Sequence, residues 1–188
     1  MLAAWAVFTS SCLTADECRF GPLTNSAPQQ FARIGIGATP DPGRLAAWDI
    51  DVQPSGAGLP DGVGVVARGA TLYQAQCLAC HGQSGAGGVN DVLASRLPVD
   101  HLERGTPKAI GNYWAHGTTV FDYVRRSMPF NAPGSLTDQQ VWDLTAYLLH
   151  LNDLLDADQP LDKMTLVGMR MPAAERYSRY DECVREEP

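Results

Sequence analysis

Apolar residues in the second half of the chain recur at the spacing of an α-helix. Thr137 precedes them, and Gln140 stands three residues further on, which is the spacing of a capping box at a helix N-terminus. The stretch GSLTDQQVWDLTAYLLHLND therefore predicts a capped helix with one buried face. Its apolar stripe consists of Val141, Leu144, Leu148 and Leu151.

A shorter helix is predicted upstream, over the stretch GVVARGATLYQAQ. Small and apolar residues recur there at helical spacing, so one face of this helix is expected to be buried. The residues expected on or near that face are Val66, Gly69, Ala70 and Tyr73.

Prolines and glycines predict extended segments on both sides of these helices. Within residues 16–68 we expect a wrapping segment with one short helix, roughly from Pro40 to Trp48, which starts after Thr39. Such a wrap covers apolar surface, and a docking arm for a partner protein is the alternative. Residues 153–188 predict a second wrap that ends in a polar, solvated helix. That helix would carry Glu175, Arg176, Arg179 and Glu182.

Length and charge restrict the class of protein. The chain has 188 residues, enough for one domain with extensions, and a net charge of −7. This charge argues against a nucleic-acid partner, which would require a basic face. No run of about twenty apolar residues occurs, so no membrane span is expected in the mature protein.

The first residues, MLAAWAVFTSSCLTADEC, are typical of the end of a secretory signal. We interpret residues 1–15 as an apolar leader, either a partial signal peptide or a lipoprotein signal, in which Cys12 follows two serines. Attachment to a membrane is expected only if Cys12 is lipidated. The rest of the chain is divided into a wrapping segment over 16–62, a central domain over 63–155 and an extension over 156–188.

The motif CLACH contains Cys77, Cys80 and His81. A structural zinc site would require a second closely spaced pair of ligands, and the sequence has none. A thioredoxin-like dithiol should follow a strand, whereas a helix is predicted before Cys77. The remaining interpretation is a c-type haem attachment site, in which each thiol bonds to the haem and His81 is the proximal iron ligand. The other histidines are isolated: His101, His116 and His150.

A c-type haem needs a second axial ligand, and Met128 is the predicted one. It lies 47 residues after His81, in the stretch RRSMPFNAPGS, where prolines and a glycine predict a loop. A thioether ligand raises the reduction potential of the iron. The rival is His116, which would give bis-histidine ligation. The other methionines are expected to have structural or surface roles: Met164, Met169 and Met171.

These elements together resemble the mono-haem class I cytochrome c domain. The stretch GNYWAHGTTVFDYVRRSMPFNAPGSLTDQQVWDLTAYLLHLN, with AAWDIDVQPSGAGLPDGVG before the motif and LDKMTLVGMRMP after it, resembles one subfamily. Its members are cytochrome subunits of molybdenum sulfur dehydrogenases, namely the sulfane dehydrogenase of the bacterial Sox system and related sulfite dehydrogenases. The resemblance runs from about Ile34 to Pro172.

The resemblance implies an all-α cytochrome c fold around one covalent haem c, with extended N- and C-terminal wrapping segments. In small cytochromes of this class the last helix packs across the helix before the haem motif. Gly69 has no side chain there, so Tyr147 or Trp142 can approach its backbone. The implied function is periplasmic electron transfer, from a molybdenum-containing dehydrogenase subunit to a downstream cytochrome c.

Two departures from the subfamily pattern affect the site. Sox dehydrogenase cytochromes can carry two haems, whereas this chain has one C-x-x-C-H motif. Relatives often have Gly-Gly-Pro after the haem histidine, and Val89 stands here in place of the proline. In many c-type cytochromes a backbone carbonyl at that point accepts the proton of the ligand histidine. The sequence does not assign this acceptor.

The chemistry of haem and of cysteine indicates further candidate residues. The haem propionates need hydrogen-bond donors, and Trp114 and Arg126 are the candidates. Cys18 and Cys183 are candidates for a disulfide in an exported protein. No catalytic constellation is found, so the chain is expected to be a subunit of an enzyme. The alternatives are a free electron carrier, a cytochrome subunit of a different dehydrogenase, or a non-haem metal-binding or structural module.

Overall fold

Helices account for the regular structure in the residues that the computed structural model describes, 37–95 and 107–177. The predicted leader, Cys12, and the proposed Cys18–Cys183 pair lie outside these residues. Within the described ranges no strand occurs, and an isolated antiparallel bridge joins Gly64 to Leu161. The helices are α1 (Pro42–Trp48), α2 (Val66–Gln76), α3 (Leu78–His81), α4 (Ile110–Tyr113), α5 (Gly117–Ser127), α6 (Asp138–Leu151) and α7 (Lys163–Gly168).

Helix α6 is the central element, and its predicted cap is present. The Thr137 hydroxyl accepts a hydrogen bond from the Gln140 amide at 3.3 Å, and the Gln140 side chain accepts one from the Thr137 amide at 2.8 Å. These two bonds satisfy amides that the first turn of a helix leaves without partners. The apolar stripe is buried at Val141, Leu144 and Leu148 and half-buried at Leu151, which confirms the predicted helix.

Helix α2 packs on α6 at Gly69, as predicted. A Cβ atom on Gly69 would lie 1.9 Å from the carbonyl oxygen of Asp143 and 2.7 Å from the Cβ of Tyr147. Only glycine allows the two backbones to approach so closely. The other predicted aromatic, Trp142, packs instead against Gly62, where a Cβ would lie 2.2 Å from the indole ring.

A buried carboxylate on α6 reinforces this helix pair. Asp143 accepts hydrogen bonds from the Val65 amide at 2.8 Å and from Arg68 Nε at 2.9 Å, and Gln139 donates to it at 3.2 Å. A second Arg68 nitrogen donates to the same carboxylate at 2.8 Å. Arg68 thus contacts the carboxylate through two nitrogens, and a bidentate ion pair of this kind also fixes the relative orientation of the two side chains.

The short helix α1 begins two residues later than predicted. Its N-cap is Asp41, whose carboxylate accepts from the Arg44 amide at 2.9 Å, with Pro42 at the first helical position. The predicted start after Thr39 was therefore wrong, because the aspartate one residue before Pro42 offers the stronger cap. None of the residues of α1 is buried.

The two wrapping segments contribute to the hydrophobic core. The first is tied to α5 by a 2.8 Å hydrogen bond from the Val52 amide to Asp122, and it meets the second at the Gly64–Leu161 bridge. Pro40–Tyr177 form one compact unit, and the domain boundaries at 62 and 155 stay a prediction. Of the predicted polar C-terminal helix, only Ala174–Arg176 is described, as one 3₁₀ turn. The wraps bury Val52, Leu59, Leu161, Leu166 and Met171.

One amide side chain at the end of α6 connects three segments. Asn152 Oδ1 accepts from the Gly111 amide at 3.0 Å and from the Ser95 amide at 3.3 Å. Its Nδ2 donates to Leu93 O at 3.1 Å and to Leu148 O at 2.8 Å. Asn152 is buried, and these contacts satisfy both its acceptor and its donors.

Candidate functional site

The cysteine motif lies where α2 ends and α3 begins. Cys77 is the residue between the two helices, and its carbonyl accepts hydrogen bonds from the Cys80 amide at 3.1 Å and the His81 amide at 3.0 Å. The chain then leaves α3 at Gly82, which has a left-handed φ of +75°. Both thiols are free; Cys77 is half-buried and Cys80 is exposed. Residues three apart on a helical turn are neighbours, so both thiols can meet one ligand.

Burial changes the acidity of the first thiol. Loss of solvation, and next the charge of the nearby Cys80, raise the pKa of Cys77 to about 11. The Cys77 side chain is therefore a neutral thiol before any group is attached to it.

The imidazole of His81 is held by a backbone carbonyl. Its Nδ1 lies 2.9 Å from the carbonyl oxygen of Asp91. A carbonyl can only accept, so Nδ1 carries a proton, and in the tautomer with this proton Nε2 is the nitrogen with the lone pair. This is the tautomer that a metal-binding histidine needs. The sequence did not identify this acceptor, because every residue has a carbonyl and no residue type marks one.

Met128 follows α5 directly and leaves the helix in an extended conformation. Its amide donates to Val124 O at 3.2 Å, which fixes the backbone from which the side chain projects. The side chain is half-buried and packs against the hydrophobic core. Cys77 and Trp114 also pack against this core.

The two predicted propionate donors differ in their surroundings. Trp114 is half-buried and makes an edge-on ring contact with Tyr123, with centroids 5.5 Å apart. Arg126 is paired with Asp122 one helical turn earlier, through Nε at 3.0 Å and a second nitrogen. The hydrogen bond to Asp122 raises the pKa of Arg126. The four-residue spacing of these opposite charges in the sequence is a signal that could have indicated this pair.

The remaining candidate ligands occupy different environments. His116 is exposed and stands immediately before α5. Met164 is 83% exposed, whereas Met171 is only 1% exposed, and Met169 packs against the core. Met164 therefore lies at the surface, whereas Met169 and Met171 have structural positions, and these are the two kinds of role predicted for them.

The donor set fits a covalently attached haem. It offers two thiols three residues apart, an imidazole with a proton on Nδ1, and a thioether that packs against the same hydrophobic core as Cys77. Several apolar side chains of the predicted site and its neighbours in the chain are half-buried, and partly accessible apolar side chains suit a flat, apolar ring system. Those that pack on the core are Leu72, Cys77, Leu78, Leu93, Trp114 and Met128.

Two absences hold for residues 37–95 and 107–177. No group of three or more His, Cys, Asp and Glu side chains in these ranges could hold a metal ion. None of the helices of the described ranges is long and apolar enough to cross a membrane.

Comparison with known proteins identifies the family. Residues 66–152 match the family model of cytochrome c. The crystal structure of the sulfane dehydrogenase SoxCD from Paracoccus pantotrophus is similar, with a TM-score of 0.70 and 34% identity, over 83% of this chain and 80% of that one. The chain belongs to the cytochrome c family. The predicted all-α cytochrome c fold is confirmed, and the cofactor is covalently bound haem c rather than the non-haem alternative.

Curated relatives match about half of the chain. The thiosulfate dehydrogenase of Allochromatium vinosum is 33% identical over 90 residues, which are 48% of this chain and 31% of that protein. The thiosulfate dehydrogenase of Psychrobacter arcticus is 30% identical over 95 residues, 50% of this chain and 28% of that protein. The chain spans about a third of the length of these relatives. It is an electron-transfer cytochrome c domain related to the cytochrome parts of sulfur-compound dehydrogenases.

Proposed function

We propose that this chain is the electron-transfer subunit of a periplasmic dehydrogenase that oxidises a sulfur compound. It would accept electrons from a molybdenum-containing subunit and pass them to a downstream cytochrome c. The observation that carries this proposal is the similarity to the sulfane dehydrogenase over 83% of the chain. The cytochrome c family model covers only residues 66–152, so the similarity includes parts of the wrapping segments. A free carrier would need only the central domain.

Each predicted site residue has a role in this proposal. Cys77 and Cys80 would hold the haem through two thioether bonds, and His81, through Nε2, and Met128 would be the ligands of its iron. Trp114 and Arg126 are candidates for hydrogen bonds to the propionates. Arg126 would do so while paired with Asp122, and its side chain, 47% exposed, keeps donor groups accessible.

When bound, the haem supplies a one-electron centre that alternates between the ferric and ferrous states. The chain supplies the environment of that centre. The carbonyl of Asp91 keeps the His81 ring in one tautomer and one orientation. The buried residues of α5 and α6 exclude water from the core behind it, and a thioether ligand favours the ferrous state.

The substrate of the catalytic partner is a reduced sulfur compound in this proposal, and a sulfane compound is the first candidate. The similarity to the sulfane dehydrogenase extends over most of the chain. Thiosulfate is the second candidate, because two curated relatives named for thiosulfate dehydrogenation match about half of it.

Co-purification tests the partner. The chain would be tagged at its C-terminus, purified from periplasm of the native host and analysed for molybdenum and for bound polypeptides. We expect a molybdenum protein in stoichiometric amount, and reduction of the haem on addition of a sulfur substrate. A haem-containing cytochrome that purifies without a partner, and that no sulfur compound reduces, would support the free-carrier alternative instead.

Substitution of the thiols tests haem attachment. The double variant Cys77→Ser, Cys80→Ser should abolish covalent attachment, and the mass of the purified chain should lack the tetrapyrrole. A variant at Ser84, outside the motif, serves as control and should keep the added mass. Full haem mass in the double variant would contradict the attachment site.

A further inference from the structure

Tyr73 connects α2 to the residue that follows the haem histidine. Its side chain is 0% exposed, and its hydroxyl donates a 2.8 Å hydrogen bond to the carbonyl of Gly82. Gly82 is bonded directly to His81 in the chain. A buried hydroxyl is costly unless it is hydrogen-bonded, so this contact is a specific one.

The loop after Gly82 is tightly packed, so a displacement at its start cannot be absorbed locally. A Cβ on Gly82 would lie 2.1 Å from Ala86 O, and one on Gly88 would lie 2.1 Å from Cys80 O and 2.5 Å from the Gly82 nitrogen. The two ends of the loop therefore touch, and movement of Gly82 is transmitted to Gly88.

Two further backbone hydrogen bonds fix the residues on either side of the carbonyl that contacts the histidine ring. The Asn90 amide donates to Cys80 O at 2.9 Å, and the Leu93 amide donates to Gly85 O at 2.8 Å. Between these two points lies Asp91, whose carbonyl is 2.9 Å from His81 Nδ1. The position of the Asp91 carbonyl oxygen therefore depends on the position of Gly82 and on the two hydrogen bonds that close the loop.

We propose that Tyr73 is a positioning residue for His81, which acts by anchoring the loop that presents the Asp91 carbonyl to Nδ1. The inference rests on the proposed role of His81 as an iron ligand. A hydrogen bond at Nδ1 raises the basicity of a ligating imidazole, which stabilises the more positive, ferric iron. The Tyr73 hydroxyl therefore lowers the reduction potential, although it does not touch the ligand.

The hydroxyl, rather than the aromatic ring, carries this role. The Tyr73 ring packs on Tyr147 at a centroid distance of 5.2 Å, and phenylalanine would preserve that contact. Among the described residues, no hydrogen bond joins the Tyr147 hydroxyl to the loop of residues 82–94. Tyr147→Phe is therefore a matched control that removes a neighbouring hydroxyl.

The experiment compares Tyr73→Phe and Tyr147→Phe as exported holoproteins. Intact mass verifies the haem, and NMR of the reduced protein measures exchange of the His81 Nδ1 proton. In Tyr73→Phe we expect this exchange to be about tenfold faster, the factor that one hydrogen bond contributes, together with a higher reduction potential. In Tyr147→Phe both quantities should equal those of the wild type.

Unchanged exchange and potential in Tyr73→Phe, with haem and His81 ligation intact, would overturn the positioning role and leave the proposed function standing. Equal changes in both variants would also overturn it, because the cause would then be packing of the rings. Absence of imidazole ligation in the wild type would instead remove the ligand assignment on which the inference rests.

Discussion

His81 illustrates how a backbone group decides the chemistry of a side chain. Its Nδ1 carries a proton because the atom opposite is the carbonyl of Asp91, 2.9 Å away, which can only accept. The motif CLACH predicts Cys77 and Cys80 as attachment residues and His81 as the proximal ligand, since their types and spacing are what haem attachment requires. The motif did not predict Asp91, because the acceptor is a carbonyl positioned by the loop.

Substitution of Met128 tests the second axial ligand. Met128→Ala should keep covalent haem, lower the reduction potential and open the sixth position of the iron to small ligands. Potentiometry and the absorption spectrum with and without an added ligand measure these effects. Met164→Ala, at a position 83% exposed, is the control and should match the wild type. A wild-type spectrum and potential in Met128→Ala would point to another ligand, with His116 the next to test.

We also expect the free energy of unfolding to depend on pH through the buried side chain of Tyr73. Burial, before any charge effect, raises the pKa of Tyr73 to about 12 from its ordinary value of 10.0. Between these values the unfolded chain loses the tyrosine proton while the folded chain keeps it, so stability falls as pH rises through this window. Unfolding by denaturant should show a shallower alkaline decline in Tyr73→Phe than in the wild type. Parallel declines would mean that this tyrosine ionises equally in both states.

At the scale of elements, the crossing of α2 and α6 depends on one missing side chain. Gly69→Ala would place a Cβ 1.9 Å from the Asp143 carbonyl, so the helices must separate. We expect a loss of about 1–3 kcal/mol or more, as for overpacked cores. Chemical denaturation measures it. Gly168→Ala is the matched control: a Cβ there meets nothing within 4 Å, and the change should stay within about 0.5 kcal/mol.

The elements that the sequence predicted well are those with local signals. Helix α6 carries its own cap at Thr137 and its own apolar period, and both are found as expected. Helix α1 was predicted with the wrong start, because Thr39 and Asp41 can both cap and only the backbone geometry selects between them. The contact of Trp142 with Gly62 was missed, since it joins residues eighty positions apart that no short pattern relates.

For the whole molecule, the wrapping segments are part of the core rather than a loose cover. Met171 lies in the second wrap and is only 1% exposed. Met171→Ala should therefore destabilise the protein by about 2–5 kcal/mol, the cost of a large-to-small change in a core. Thermal or denaturant unfolding of the holoprotein is the measurement, and Met164→Ala, on the surface of α7, should stay within about 0.5 kcal/mol. Equal stability of the two variants would show that the second wrap is dispensable.

The contacts of Asn152 have a practical consequence for engineering. The Asn152 side chain accepts hydrogen bonds from the Ser95 and Gly111 amides and donates one to the Leu93 carbonyl. Asn152 should therefore be kept unchanged in any redesign of α6, because its replacement would leave the Ser95 amide, the Gly111 amide and the Leu93 carbonyl without this partner.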